Sequence, residues 1–303
     1  MDFVYGGAAA ILAITLTHPV DVVKSRLQLR GEAAAAAARP GAPPDAGVAR
    51  WLVRVAREEG ARALYRGLGA AWGLQFAVTA TRFGTYGAFK SLASASSADA
   101  GRASAWARNF ALAGVSGALG AVAGNPFFAV KTRQQVYAAS SALATGTQHR
   151  PKPLVRELAD VVRAEGVRGL FRDLDAFMPR VVVYGAAQLS TYDALRARLS
   201  GWRSPFEQQV LASVGAAGAS VTAIQPFDFV VVRLNNQPVD PVTQRGAFYS
   251  GPLDCLAKCV RSEGVLCLFK GYRANVARFV PYTVLVLMFV ERLREAGATL
   301  LRR

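Results

Sequence analysis

One ten-residue pattern occurs three times in this chain, and its spacing constrains the fold more than any other feature. Pro19-Val20-Asp21-Val22-Val23-Lys24-Ser25-Arg26-Leu27-Gln28 returns as Pro126-Phe127-Phe128-Ala129-Val130-Lys131-Thr132-Arg133-Gln134-Gln135. It returns again as Pro226-Phe227-Asp228-Phe229-Val230-Val231-Val232-Arg233-Leu234-Asn235. The three prolines lie 107 and 100 residues apart. A second landmark keeps nearly the same beat: Glu59-Gly60 with Tyr65-Arg66-Gly67, Glu165-Gly166 with Phe171-Arg172-Asp173, and Glu263-Gly264 with Phe269-Lys270-Gly271. Two independent landmarks with one period mean a tandem repeat. The chain reads as a single domain of three repeats, over 1–100, 101–203 and 204–303. Length divided by the usual domain size would have given two domains.

Each proline closes a charge-free stretch: Phe3 to Val20, Phe110 to Val130, and Gln208 to Phe227. All are near the ~20 residues needed to cross a hydrocarbon layer as a helix. Gly120-x-x-x-Gly124 and Gly215-x-x-Gly218 would let such helices approach closely. Three further long stretches, Gly67 to Lys90, Arg172 to Arg196 and Gly271 to Arg294, are interrupted by charge. An ionisable residue at membrane depth is costly and faces a wet cavity. The expected fold is therefore an all-α membrane protein with six transmembrane helices and both termini on one side. Each repeat is a helix, a basic loop with a short amphipathic helix, and a second helix. Gly31 to Gly47, rich in Ala and Pro, reads as a flexible first loop.

Composition agrees. Hydrophobic residues make up 52% and charged residues 18%, against about 25% charge in a soluble chain. Yet 36 Lys+Arg face 20 Asp+Glu, a formal +16. Nucleic-acid binding would place that charge on a polar face, whereas the mean hydropathy is +0.22. Charge gathered at helix ends and in loops fits both figures. Cys255, Cys259 and Cys267 form no CxxC pair, and His18 and His149 are the two histidines. A disulfide framework and a zinc site are not expected. His18 reads as core packing. No GxSxG, HExxH or P-loop occurs, and the glycines at 67, 69 and 73 lack dinucleotide spacing. Neither an enzyme, a cofactor nor a metal site is expected. Met1-Asp2-Phe3 shows no basic leader, so internal signals are expected to direct insertion.

The tripled P-x-[D/E]-x-x-[K/R]-x-[K/R] with its acidic-Gly and aromatic-basic-Gly partners resembles the mitochondrial carrier family, solute carrier family 25. Arg82-Phe83-Gly84-Thr85-Tyr86-Gly87, Pro179-Arg180-Val181, Pro126-Phe127-Phe128 and Asn236-Gln237-Pro238 resemble its oxaloacetate-carrier branch and animal relatives. The resemblance implies a multi-pass inner-membrane transporter of alternating access, kinked at Pro19, Pro126 and Pro226. Its matrix gate would pair the acid of one repeat with the base of the next. Asp21 then meets Lys131, Asp228 meets Lys24, and the third pair is Phe128 with Val231. Both partners of that third pair have become apolar together. Gln28, Gln135 and Asn235 occupy the bracing positions one turn beyond. The cytosolic gate would pair Asp193 with Arg294 and Glu291 with Lys90, with Arg196 left over.

Between the gates the equivalent positions are Leu74, Arg180 and Arg278, followed by Gln75, Val181 and Phe279. Two level arginines repel unless an anion answers them, and guanidinium forks suit carboxylate or sulfate oxygens. Arg82, about 12 Å further along its helix, is a third candidate contact. Gly67, Gly251 and Gly271 resemble the family's cardiolipin-binding helix starts, where backbone N–H groups hold a phosphate. Phe171-Arg172-Asp173 carries an acid there and is expected to bind lipid poorly. The expected function is transport of a small anionic metabolite, such as oxaloacetate, malonate or sulfate, by a monomer without nucleic-acid partners. Competing readings are a carrier of nucleotides or amino acids, an uncoupling carrier, and a non-transporting scaffold.

Overall fold

A computed structural model describes residues 2–29, 47–95, 102–140, 143–199, 201, 204–238 and 246–300. The Ala- and Pro-rich segment 31–46 lies outside the described residues. Repeat 1 consists of α1 (Asp2–Gln28), α2 (Val48–Glu59) and α3 (Leu68–Ala95). Repeat 2 consists of α4 (Arg102–Val136), α5 (Leu154–Gly169) and α6 (Leu174–Arg198). Repeat 3 consists of α7 (Pro205–Asn236), α8 (Pro252–Glu263) and α9 (Tyr272–Leu300). The first and last helix of every repeat exceeds the ~20 residues a membrane span requires.

The helices α1, α4 and α7 run well past the charge-free stretches. Each continues through its proline for two or more turns, so the motif of every repeat is itself helical. At its start, α7 is capped by Ser204, whose side chain accepts from Glu207 N–H while the Glu207 carboxylate returns to the Ser204 amide. Pro205 at the first helical position has no N–H to leave unpaired.

Neighbouring long helices pack in chain order, and α9 packs back against α1, which closes a ring of six. Small residues set the closest approaches. A Cβ at Gly124 would lie 2.5 Å from Val78 Cγ2, and one at Gly215 would lie 2.4 Å from Leu195 Cδ1. Gly218 does not share this role, because nothing lies within 4 Å of its Cβ position. The outer wall carries Leu12, Leu16, Phe76, Val115, Leu211 and Met288 exposed. Lipid, not water, suits that wall. Among the described residues, two helices, Tyr5–Gln28 and Pro205–Asn236, are long and apolar enough by themselves to cross a membrane. The short helices α2 and α8 are amphipathic, burying Trp51 and Val55, and Cys255 and Cys259, against the ends of the long helices.

Candidate functional site

The residues after the three prolines converge at one end of the ring. Lys131 Nζ lies 2.6 Å from Asp21 Oδ2, joining α4 to α1. Lys24 Nζ lies 2.5 Å from Asp228 Oδ2, joining α1 to α7. All four side chains are buried. The third place holds Phe128 and Val231, both buried within one apolar cluster between α4 and α7. The matched loss of acid and base thus leaves no stranded charge, which would cost roughly 3–5 kcal/mol here. Gln135 Nε2 donates to Asp21 Oδ2 at 2.8 Å, and Gln28 Nε2 donates to Asp228 Oδ2 at 2.8 Å. Asn235 differs from the bracing role expected of it. Its Nδ2 donates to Val231 O on its own helix at 3.0 Å, because the third place has no carboxylate to hold.

The two landmarks of each repeat also meet, which explains why they share a period. Arg26 forks onto Glu59 at 2.7 and 3.2 Å, and Arg233 forks onto Glu263 at 2.6 and 3.0 Å. Arg133 reaches Glu165 at 3.7 Å. The basic residue of each aromatic-basic pair closes on the same acid: Arg66 on Glu59, Arg172 on Glu165 at 2.6 Å, and Lys270 on Glu263 at 2.5 Å. These clamps tie the short helices to the long ones. Sequence reading quoted every partner and missed the contact, since the spacing gives the period and not the pairing.

One level above the gate, the two arginines are not free. Arg180 Nε donates to Asp228 Oδ1 at 2.6 Å, and its guanidinium lies 5.4 Å from the Phe128 ring centroid and 5.7 Å from that of Phe177. Arg278 Nε is 3.1 Å from Asp21 Oδ1, an ion pair without hydrogen-bond alignment, and sits 4.5 Å from the centroid of the Phe279 ring. Leu74, the equivalent residue of repeat 1, packs on the apolar cluster that holds Phe128 and Val231, as does Val181. In two sectors the arginine at this level in one repeat meets the acid of the next, and in the third the leucine packs on the apolar cluster that holds Phe128. Gln75, half-buried, donates to Thr79 Oγ1 at 3.2 Å.

Sequence reading missed Tyr184 and Tyr282, each one helical turn beyond Arg180 and Arg278. The Tyr184 ring is 5.5 Å from Phe279, and Tyr184 lies within electrostatic reach of Arg82, Arg180 and Arg278. The repeated Arg-x-x-x-Tyr spacing was the available signal. Arg82 itself is exposed. Toward the opposite end, Asp193 and Glu291 are exposed and join no ion pair among the described residues. The Lys90 and Arg294 side chains lie outside the described residues. His18 is buried, with Nε2 2.9 Å from Arg66 O.

Two of the helix starts singled out for lipid share a geometry. Gly67 and Gly271 have φ of 81° and 78°, a left-handed backbone that disfavours other residues. Both abut the gate helix of a neighbouring repeat. A Cβ at 67 would lie 3.1 Å from Lys131 O, and one at 271 would lie 2.9 Å from Gln28 Cγ. Asp173, their counterpart, has φ of −99° and is buried. Gly251, extended at φ 175°, precedes Pro252 at the start of α8.

A family model described as mitochondrial carrier protein matches residues 1–97, 102–201 and 203–298. The chain is 34% identical over 301 residues to solute carrier family 25 member 35 of Homo sapiens, spanning 97% of this chain and 98% of that protein. It is 33% identical to the mitochondrial oxaloacetate transport protein of Saccharomyces cerevisiae, over 96% of this chain and 88% of that one. It is 37% identical to mitochondrial citrate transporter E of Aspergillus niger, over 96% and 91% respectively.

Proposed function

Since the chain belongs to the mitochondrial carrier family, whose members are multi-pass transporters of the mitochondrial inner membrane and not enzymes, we propose that it carries a small dianion such as oxaloacetate or malonate. The observation that supports this is the charge around the closed gate. Four cations, Lys24, Lys131, Arg180 and Arg278, surround two carboxylates, Asp21 and Asp228. Two positive charges are left over, and both belong to arginines at one level. A dianion neutralises them, and each guanidinium offers a carboxylate two parallel donors.

The same geometry supports a mechanism. Asp228 and Asp21 hold the arginines where substrate carboxylates would bind. A dicarboxylate that takes Arg180 and Arg278 removes one cationic partner from Asp228 and one from Asp21. Each bridge then rests on its lysine and glutamine alone. Substrate binding thus loosens this end, which the family orientation makes the matrix gate. Closure at the cytosolic end through Asp193–Arg294 and Glu291–Lys90 completes the exchange of states. A ligand shifts such an equilibrium only through its different affinity for the two states, and here the difference is the competition for two guanidiniums. Gln75, Leu74, Val181 and Phe279 line the level, and Arg82 offers a first contact further out. Gly67, Gly251 and Gly271 would hold lipid phosphate, cardiolipin being the inner-membrane candidate. The ring closes within one chain, which favours a working monomer.

A tricarboxylate is the second reading, favoured by the likeness to the Aspergillus niger protein. Uptake into proteoliposomes tests both. Oxaloacetate or malonate should exchange faster than citrate, and Arg180→Ala should abolish that exchange. Unchanged uptake by Arg180→Ala would sink the proposal, and faster citrate exchange would select the second reading.

A further inference from the structure

The clamp of repeat 3 differs from the other two in one atom type. In repeat 1, Arg26 gives every donor an oxygen: Nε to Gln135 O at 3.2 Å, Nη2 to Tyr137 O at 2.6 Å, and the fork to Glu59. In repeat 3, Arg233 Nη1 donates to the Cys259 sulfur at 3.0 Å, and its buried Nε has no partner. Four residues before the clamping glutamate, repeats 1 and 2 carry Val55 and Val161, whereas repeat 3 carries Cys259. Cys255 lies one turn earlier, with its sulfur 3.9 Å from that of Cys259. Both are buried, at 0% and 1% exposure, so only a small reagent reaches them.

This is a dithiol set against a cation, on a short helix outside the spanning segments. The contact from Cys255, with the Arg233 charge behind it, outweighs burial and brings the Cys259 thiol down to about 6. Burial pushes the nearby Cys267 thiol up, which leaves Cys267 the poorer nucleophile. We propose that Cys255 and Cys259 form a peroxide-sensitive modification site, with Cys259 the attacking sulfur and Cys255 the resolving one.

The chemistry balances with hydrogen peroxide as oxidant. The Cys259 thiolate attacks peroxide, so an S–O bond forms, the O–O bond breaks and hydroxide leaves. The new sulfenic oxygen provides the acceptor that Arg233 Nε lacks. The Cys255 sulfur then attacks the Cys259 sulfur, so S–S forms, S–O breaks and water departs. Two thiols lose two electrons, and peroxide becomes two waters. Neighbouring turns of a helix bring Cα atoms within disulfide range, but the sulfurs must close to about 2.05 Å. That movement takes Cys259 off Arg233, which sits on the helix that also carries Asp228 and Val231. Oxidation should therefore loosen α8 from α7 and slow transport.

The test uses the full-length reduced protein in liposomes, treated with peroxide, alkylated and mapped by mass spectrometry. The wild type should lose alkylation at Cys255 and Cys259 together and retain it at Cys267. Cys267→Ala should behave like the wild type. Cys255→Ala should gain the mass of one or more oxygens at Cys259. Cys259→Val, which installs the residue of the other repeats, should melt like the wild type and keep both remaining thiols. Three alkylatable thiols in the treated wild type would overturn the site. So would a disulfide involving Cys267, or equal peroxide consumption by Cys259→Val. Uptake provides a second readout. It should fall severalfold on oxidation and return with dithiothreitol in the wild type, and should not change in Cys259→Val. The mass readout stands whatever the substrate proves to be.

Discussion

Two sectors of the gate are ionic and the third is apolar, and the difference extends over two layers of side chains. Arg278 sits over Asp21–Lys131 with Gln135, and Arg180 sits over Asp228–Lys24 with Gln28. Leu74 packs on the apolar cluster that holds Phe128 and Val231, and Asn235 is turned to its own backbone. The two layers of the third sector differ together from those of the other two. An arginine at 74 would face an aromatic ring with no carboxylate, and an aspartate at 128 would face a valine. The contrast teaches that each sector is one unit running from the depth of residues 74, 180 and 278 to the motif pair below it. A charge is retained in it only where the whole stack can answer it.

The largest expected effect comes from breaking an ionic sector. Asp21→Lys would set two buried ammonium groups together, and uptake should fall to the protein-free background. Lys131→Asp should do the same with two carboxylates. The double variant Asp21→Lys with Lys131→Asp restores opposite charges, and a substantial part of the uptake should return. Failure of the double variant to recover would show that the pair acts otherwise than as a bridge.

Next comes the apolar sector. Phe128→Asp alone buries an unpaired carboxylate, at roughly 3–5 kcal/mol, so its melting temperature should drop by several degrees and uptake should be lost. Adding Val231→Lys supplies the missing base and should recover most of the melting temperature. It should also slow exchange, because a third bridge must now break in each cycle. Fast exchange by this double variant would show that the number of bridges does not set the rate.

A smaller change sharpens the substrate level. With Phe128→Asp and Val231→Lys in place, Leu74→Arg completes a third ionic sector and adds one cation at the depth of Arg180 and Arg278. The preference should shift toward trianions, read as a rise in citrate exchange relative to malonate. An unchanged ratio would remove residue 74 from the substrate level.

Most of this architecture was legible in the sequence. The tripled motif carried the repeats, and the long apolar stretches the helices, while the pairing of Asp21 with Lys131 and of Asp228 with Lys24 came only through the family resemblance. Positions 74, 180 and 278 were legible as one level. Their partners were not: an arginine at this depth needs a carboxylate, and which one supplies it depends on helix rotation. Asn235 was misread for a related reason. Its place in the motif matched Gln28 and Gln135, but a brace exists only where there is a carboxylate to brace. Tyr184 and Tyr282 carry no charge, so only the repeated Arg-x-x-x-Tyr spacing sets them apart from the aromatic residues that fill any apolar helix.

The bracing amides provide the finest comparison. Gln135 and Gln28 each donate one hydrogen bond to a buried carboxylate, and bonds to charged groups contribute roughly 1.5–3 kcal/mol. Asn235 donates to a carbonyl whose own helix already defines its position. Gln135→Ala and Gln28→Ala should therefore lower the melting temperature by a few degrees and speed exchange, since a less braced gate opens more readily. Asn235→Ala should leave both nearly unchanged. The decisive reading is the double variant Gln28→Ala with Gln135→Ala. If the two ionic sectors open as separate units, its effects on melting should be near the sum of the singles, as for sites without shared partners. A shortfall would mean that loosening one bridge already releases the other, and the gate would then open as a single body.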